Sequence, residues 1–471
     1  MLAYQAENTH QCDDSCPSIE LHIIGLGVAE QAELGVEATR ALQSAELVFG
    51  STRQLKTVQR FLSDNQQQTE LPRLSELKEQ LLSIIGSNEK GDKKSSVKNK
   101  RTSSIAVLAS GDPLYYGIGR WFCNQFSADC NKDGDKECDK SQLFFYPAVS
   151  SLQAACHRLG VSLQDVEVLS LHGRPLAKLR TRLRQDQSLL ILTDKLSCPQ
   201  ALAAQCIECG YESATFSICE NLGYPEEKIS HYEASELINS LTDFDPLHVT
   251  LIKPGSNYGF LPEFPGIADK HFITDSEEAG RGMISKREVR LSILSLMHVA
   301  KGDTVWDIGA GCGGVSVELA YWNPDSTIYA VEHHDDRLRC LEENRQRFGV
   351  VSNLHIVPGR APQALNEQPQ PNKVFIGGSD GELAVLLSKV WELLPEGGVL
   401  VASAVTENTK QHLFNFWQQR ADADDCVAET LQLAVSRGEL LAGQLLYRPS
   451  LPVNLYQFVK QTSLQAERVS G

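Results

Sequence analysis

The sequence lacks any apolar run close to the roughly 20 residues that a transmembrane helix needs. Its first residues contain neither the basic segment nor the apolar core of a secretory signal, so we expect a cytoplasmic protein without a membrane partner. The sequence has fewer basic than acidic residues, with 44 Lys and Arg against 60 Asp and Glu, which gives a net charge of −16. This balance argues against a nucleic-acid-binding protein, but a local group of cations could still hold an anionic small substrate.

The cysteines lack the spacing of a disulfide framework. Thirteen of them, an odd number, are scattered along the chain, and we expect reduced thiols that pack as small hydrophobic side chains. Cys12 and Cys16 could bind a metal, but two ligands without neighbours fall short of a tetrahedral site. Cys206 and Cys209 form a CxxC late in a predicted helix, with no second pair at zinc-site spacing. We therefore expect no metal site.

The length of 471 residues predicts two or three domains. Residues 1–17 are expected to form a disordered tail. The lysine-rich stretch 86–104 is interpreted as a surface insertion, with a nuclear-localisation or nucleic-acid-binding segment as the alternative. A second insertion is expected at 128–141, around Cys130 and Cys138. Proline and glycine interrupt residues 254–275, which predicts a linker between a domain at 18–253 and a domain at 276–462.

The stretch 303–332 is the most informative about chemistry. An apolar, β-branched run at 304–308 predicts a strand, and four glycines follow before a predicted helix from Val315. Those glycines are Gly309, Gly311, Gly313 and Gly314. A second predicted strand ends at Glu332, where an acidic side chain can accept hydrogen bonds from ribose hydroxyls. The pattern predicts a nucleotide-binding α/β unit.

Two interpretations of this glycine turn are open. Gly309, Gly311 and Gly314 fit the GxGxxG of a dinucleotide site, so an NAD-type oxidoreductase or a non-catalytic nucleotide-binding module is the alternative. Asp307 lies two residues before the first glycine, and this arrangement favours the DxGxGxG motif of S-adenosylmethionine (SAM) methyltransferases. Methyl transfer needs no Ser-His-Asp or Cys-His arrangement, and the sequence indicates none, so no catalytic residue is assigned.

The first half of the chain repeats the pattern of strand, glycine turn and helix. Predicted strands at 19–24 and 105–109 lead into Gly25-Leu26-Gly27 and Ser110-Gly111-Asp112. Loops at the carboxyl ends of such strands are where α/β sheets bind ligands. Ser150-Ser151 follows a further predicted strand, where these residues could equally cap a helix.

Four cations lie within ten residues of this acidic chain. They are Arg281, Lys286, Arg287 and Arg290, near the start of a predicted helix. A solvated helix face is one interpretation. Positive charge at a helix start opposes the helix dipole, however, and this placement favours a function such as binding carboxylates.

Both halves resemble known methyltransferase families. The N-terminal half resembles the tetrapyrrole methylases, and the matching pieces are residues 25–27, 109–113, 147–151, 163–175 and 245–247. The C-terminal half resembles the decarboxylating methyltransferases of corrin-ring (cobalamin) biosynthesis, and the matching pieces are residues 286–290, 306–311, 359–362, 375–378 and 404–406.

This resemblance implies an α/β fold, with a two-lobed tetrapyrrole methylase domain followed by a Rossmann-like, seven-stranded SAM methyltransferase domain. Each domain would bind its own SAM and methylate one meso carbon of a precorrin or cobalt-precorrin macrocycle. The first domain is expected to act on carbon 5, and the second on carbon 15 with loss of CO2 from the ring C acetate. Related methylases often pair, so a homo-oligomer is an open alternative to a monomer.

The resemblance also implies positions for the ligands. Cofactor-binding residues are expected at Asp307, Gly309, Gly311, Gly313, Glu332, Gly359, Ala361 and Gly377 in the second domain and at Gly25, Gly27, Gly111, Asp112, Ser150, Ser151 and Thr193 in the first. The substrate carries several carboxylates, which Arg281, Lys286, Arg287 and Arg290 are expected to hold.

Overall fold

A computed structural model describes residues 19–87, 104–126 and 141–462. The expected tail and most of the two expected insertions, including all four of their cysteines, lie outside the described residues. Within the described ranges, no helix combines the length and the apolar character that crossing a membrane requires.

The first lobe is a five-stranded parallel sheet with the strand order β3-β2-β4-β1-β5. Every residue of its central strand β4 is buried, as expected for a parallel strand covered by helices on both faces. The elements are β1 (Ile19–Gly25), α1 (Val36–Ser44), β2 (Leu47–Gly50), α2 (Thr52–Val58), β3 (Gln67–Glu70), α3 (Leu74–Ser87), β4 (Ser104–Ala109), α4 (Gly119–Phe126) and β5 (Ser141–Tyr146).

The second lobe is a mixed sheet with the order β6-β7-β10-β8-β9, in which only β6 and β7 run parallel. Cys206 and Cys209 are buried as free thiols in its apolar core, which confirms the expectation that these cysteines pack as small hydrophobic side chains. The elements are α5 (Ser151–Leu159), β6 (Val166–Ser170), β7 (Ser188–Leu192), α6 (Pro199–Glu208), β8 (Thr215–Glu220), β9 (Lys228–Glu233), α7 (Ala234–Leu237) and β10 (His248–Lys253).

The C-terminal domain contains the expected seven-stranded sheet, in the order β13-β12-β11-β14-β15-β19-β16. Its first five strands run parallel, and β19 pairs antiparallel with both β15 and β16. The elements are α8 (Arg287–Met297), β11 (Thr304–Ile308), α9 (Gly314–Trp322), β12 (Thr327–Glu332), α10 (Asp335–Arg347), β13 (Leu354–Pro358), β14 (Lys373–Ile376), α11 (Leu383–Leu393), β15 (Val399–Ala404), α12 (Glu407–Ala423), β16 (Cys426–Leu433) and β19 (Val453–Lys460).

A hairpin that the sequence pattern did not reveal extends beyond this sheet. Its strands, β17 (Ser436–Leu441) and β18 (Gln444–Pro449), pair with each other and with no other described strand. All residues of both strands are exposed, including several leucines such as Leu440, whose side chain is 78% exposed.

The segment 254–275, expected to be a linker, is packed between the domains. Leu261, Ile267 and Phe272 are buried in an apolar core to which both domains contribute. The backbone of Ile273 exchanges two hydrogen bonds with the Asn344 side chain, at 2.8 and 2.7 Å. The segment therefore fixes the domains to each other rather than separating them.

Direct contacts strengthen this junction. Arg184 donates from Nη1 to the Tyr321 hydroxyl at 2.7 Å, and Arg180 donates to the carbonyl of Arg347 at 3.1 Å. The Arg347 guanidinium in turn lies 3.9 Å from the centre of the Phe260 ring. Polar and apolar contacts thus join the second lobe, the connecting segment and the C-terminal domain.

Candidate active sites

The C-terminal domain has a cavity of about 400 Å³ at the carboxyl edge of its sheet. The strand β11 lies there between β12 and β14, where the strand order changes direction, and ligands of open α/β sheets bind at such a point. The residues expected to bind ligands that line this cavity are Lys286, Gly309, Gly311, Glu332, Gly359, Ala361 and Gly377.

The glycine loop that follows β11 is packed tightly on both sides. Gly309 has a φ of 74°, and a Cβ there would lie 2.6 Å from the amide nitrogen of Gly378. A Cβ on Gly311 would lie 2.5 Å from the carbonyl oxygen of Met283. Side chains at these positions would force the neighbouring backbones apart, so the loop requires glycine for its packing.

Glu332 organises this loop from the end of β12. Its carboxylate is 4% exposed and accepts a hydrogen bond from the Gly311 amide at 2.9 Å. Its other oxygen accepts from the amides of His333 and His334, at 2.8 and 3.0 Å. Because Glu332 also lines the cavity, one carboxylate both orders the loop and faces the ligand space.

Two residues expected to bind the cofactor, Asp307 and Gly313, do not line the cavity. Asp307 is 1% exposed beneath the loop and accepts a hydrogen bond from the Ser316 hydroxyl on α9. Burial disfavours its carboxylate and, with a smaller contribution from Glu332, raises the pKa of Asp307 to about 7. Gly313 is the N-cap of α9. Both residues support the loop without lining the cavity.

The expectation that Arg290 holds a substrate carboxylate is wrong. Its side chain is completely buried and pairs with Glu318 at 2.6 Å and with Asp269 at 3.1 Å. It also donates to the carbonyls of Ser285 and Ile267. The guanidinium donors are thus satisfied inside the domain, and the residue fixes the start of α8 instead of meeting a ligand.

The other three expected cations differ in position. Lys286 is the N-cap residue of α8 and lines the cavity, and its Nζ donates to the Gly280 carbonyl at 2.6 Å. Arg281 and Arg287 do not line the cavity. Each forms an exposed ion pair with a nearby acid, Glu278 for the first and Glu288 for the second.

Two residues of this cavity escaped the sequence reasoning. Arg360 lies on its wall, between the expected Gly359 and Ala361, and has no acidic partner within the described part of the chain. Its Nη2 lies 3.3 Å from Nε2 of His333, which also contacts Asp380 at 3.2 Å. In the sequence, the neighbouring motif residues Gly359 and Ala361 were what could have indicated a role for Arg360. His333 has only its position after Glu332 to indicate a role.

A larger cavity, of about 970 Å³, lies between the two lobes of the N-terminal domain. The loops after β1 and β4 form one wall, and the ends of β6 and β7 with the start of β10 form the opposite wall. The expected cofactor residues that line it are Gly27, Gly111, Ser151 and Thr193.

Short hydrogen bonds join the loops on each side. The Gly111 amide donates to the Gly27 carbonyl at 3.0 Å, and these glycines form an isolated bridge with φ values of 66° and 71°. In the opposite wall, the Thr193 hydroxyl lies 2.8 Å from Nε2 of His248. Both contacts fix polar groups at the edge of the cavity.

Gly25, Asp112 and Ser150 lie behind these walls and do not line the cavity. Asp112 accepts from the amides of Leu114 and Tyr115 at 2.8 and 2.9 Å. Ser150 caps α5 in a capping box, as the alternative interpretation of that residue predicted. A Cβ on Gly25 would lie 2.8 Å from the Gly111 carbonyl, so this glycine permits close loop packing.

Comparison with known proteins identifies both halves. The family model described as tetrapyrrole (corrin/porphyrin) methylases matches residues 20–238, and the precorrin methyltransferase domain matches residues 278–460. A precorrin-6Y C(5,15)-methyltransferase (decarboxylating) of Sinorhizobium sp is 30% identical over 442 residues, which are 93% of this chain and 96% of the relative. The chain belongs to the precorrin-6Y C(5,15)-methyltransferase (decarboxylating) family.

The chain is also similar to other proteins of this name. A relative of the same name from Mycobacterium tuberculosis is 28% identical over 93% of this chain and 99% of its own length. A solved precorrin-6Y C5,15-methyltransferase structure from Geobacter metallireducens is 30% identical, covers 41% of this chain and 98% of its own, and has a TM-score of 0.38. Family membership confirms the SAM-dependent methyltransferase class, and no comparison favours an NAD-type oxidoreductase.

Proposed function

We propose that this chain methylates a precorrin or cobalt-precorrin macrocycle at meso carbons 5 and 15 and removes the carboxyl group of the ring C acetate as CO2. A separate SAM site in each domain would serve the two methylations, with carbon 5 assigned to the N-terminal cavity and carbon 15 to the C-terminal one. The observation that carries the proposal is that each domain has its own cavity, at sheet edges whose loops contain glycine.

The residues of the C-terminal cavity suit a nucleoside with a charged amino-acid tail. The amides of the glycine loop lie at the start of α9, where a helix favours negative charge, and Glu332 can accept from ribose hydroxyls. In the N-terminal cavity, Gly27, Gly111 and Thr193 present backbone and hydroxyl groups. Bound SAM would supply a strongly electrophilic methyl group.

The protein's part in methyl transfer is positioning. A meso carbon of the reduced macrocycle is enamine-like and therefore nucleophilic by itself, so the cavity walls need to align the ring and exclude water rather than to activate a nucleophile. This requirement agrees with cavities lined by glycine turns and apolar side chains.

Decarboxylation follows from the same positioning. Methylation at carbon 15 leaves the macrocycle electron-poor beside the ring C acetate, so the electron pair of the breaking C–C bond passes into the ring system as CO2 leaves. The methylene carbon then takes a proton and becomes a methyl group. Lys286 and Arg360 line this cavity and would hold other carboxylates of the substrate.

Mass spectrometry of the products formed with methyl-labelled SAM tests the proposal. We expect two labelled methyl groups and the loss of one CO2 from a cobalt-free or a cobalt-containing macrocycle. Calorimetry with S-adenosylhomocysteine should give two sites per chain, whereas NAD should not bind. A product with a single methyl group, or one that retains the acetate carboxyl, would contradict the two-site proposal.

A further inference from the structure

The N-terminal cavity carries three arginines to which no role has been assigned. Arg53 lies on α2 and Arg120 on α4, both in the first lobe, whereas Arg174 follows β6 in the second lobe. All three line the cavity and are solvent-exposed, so both lobes contribute positive charge to its surface.

These arginines have no acidic partners among the residues that the structure describes. Arg53 donates from Nη2 to the Ser110 hydroxyl at 3.4 Å, and Arg174 donates to the Ser170 carbonyl at 3.0 Å. A guanidinium has five N–H donors, so these single contacts leave most of each fork available to a ligand.

The cavity is also free of acids along its described walls, although acids outnumber bases in the chain. Two acids that are next in sequence to lining residues, Asp112 and Asp194, have their carboxylates engaged elsewhere. Asp112 accepts from backbone amides behind the wall. Asp194 accepts from the Gly173 amide at 2.8 Å, a hydrogen bond that, with others from residues 196 and 197, lowers the pKa of this carboxyl to about 2. The positive charge of the cavity is therefore not neutralised locally.

Aromatic rings complete the surface. Tyr115 and Tyr116 line the cavity, with their ring centres 5.2 Å apart, and the Tyr116 hydroxyl reaches the Val168 carbonyl of the second lobe at 3.3 Å. Flat apolar faces beside separated guanidinium groups match a flat ring system that bears carboxylates on its rim.

We infer that Arg53, Arg120 and Arg174 bind peripheral carboxylates of the macrocycle in the N-terminal cavity and so set its orientation for methylation at carbon 5. The inference rests on the proposed function and names residues for it. Arginines on both lobes would hold the ring across the space between the lobes. SAM has a single carboxylate, which could contact only some of these arginines.

Gln substitutions in the full-length chain test this role. We expect Arg53→Gln, Arg120→Gln and Arg174→Gln each to raise the KM for the tetrapyrrole in carbon 5 methylation about tenfold, the size expected for one lost charge-assisted hydrogen bond. Affinity for S-adenosylhomocysteine, measured by calorimetry, should stay unchanged. Arg40→Gln, an exposed arginine on α1 that does not line the cavity, is the matched control and should leave the KM unchanged.

Lys variants at the three positions distinguish an effect of the lost charge from an effect of misfolding. They keep the positive charge without the fork and should give KM values between those of wild type and the Gln variants. An unchanged KM in all three Gln variants would overturn the inference, as would weaker S-adenosylhomocysteine binding with a normal KM. If the wild-type chain methylates no tetrapyrrole, the proposed function falls as well, so the two failures are distinguishable.

Discussion

Arg290 and Glu318 form an ion pair with an Nε to Oε1 distance of 2.6 Å in which neither side chain is exposed to solvent. The pair joins α8 to α9, and Glu318 also accepts from the amides of Gly266 and Ile267 at 2.8 and 3.0 Å. One buried carboxylate thus connects the segment between the domains to the helix that begins at the glycine loop.

Removing Arg290 should destabilise the protein strongly. Arg290→Met leaves the Glu318 carboxylate buried without its cation, and we expect the free energy of unfolding to fall by about 3–5 kcal/mol. Denaturant titration checks this value. Arg287→Met, in an exposed pair on the same helix, should change it by less than about 0.5 kcal/mol. Equal changes in the free energy of unfolding in both variants would contradict the stabilising role of the buried Arg290–Glu318 pair.

Asp307 makes stability depend on pH. Its pKa is raised from 3.8 to about 7 in the folded chain, so the folded state binds this proton more tightly than the unfolded state does. The resulting stabilisation is present at low pH and is lost as pH rises from about 4 through about 7.

Asp307→Asn removes this titration while keeping the side-chain shape. We expect the difference in unfolding free energy, wild type minus Asp307→Asn, to fall between pH 5 and pH 8 in parallel denaturant titrations. A difference that stays constant or rises over this range would show that the Asp307 carboxyl does not have a raised pKa.

Gly309→Ala should remove one cofactor site. The new Cβ would meet the Gly378 backbone at 2.6 Å, in addition to the strain of a φ of 74°. We expect calorimetry with S-adenosylhomocysteine to change from two sites to one. Gly397→Ala is the matched control, because Gly397 has the same φ but open space around its Cβ, and it should keep both sites.

Arg360 should matter more to the second reaction than Arg281. Arg360→Gln removes a cavity cation without an acidic partner among the described residues, and we expect the KM for the carbon 15 reaction to rise about tenfold. Arg281→Gln changes an exposed ion pair away from the cavity, and its KM should rise less than about twofold. The rate of CO2 release measures both KM values. A larger rise for Arg281→Gln than for Arg360→Gln would indicate that Arg281, and not Arg360, contacts the substrate.

Local patterns were sufficient to predict strands and glycine turns at both cavities, and the resemblance implied the seven-stranded sheet. The apolar pattern of a strand and the residues that follow the strand lie close together in the sequence, so a local pattern reveals both. Gly309, Gly311 and Glu332 do meet at one cavity. The position of a charge depends instead on distant partners. Arg290 is buried because Glu318 and Asp269 lie beside it, 28 and 21 residues away, and no spacing within 281–290 signals that.

The hairpin of β17 and β18 escaped prediction for a related reason. Both of its faces are exposed, so no core imposes an alternation of apolar and polar residues on its sequence. The cavity arginines on α2 and α4 are single residues without a motif, and only the fold brings them to one space.

The packed junction between the domains has a consequence for gene fission. Leu261, Ile267 and Phe272 are buried in an apolar core shared by both halves, and Arg184 of the second lobe bonds Tyr321 of the C-terminal domain. The peptide bond after Lys253 is therefore not what keeps the two cavities together. Two fragments divided at that bond and produced in one cell should reassemble as a complex.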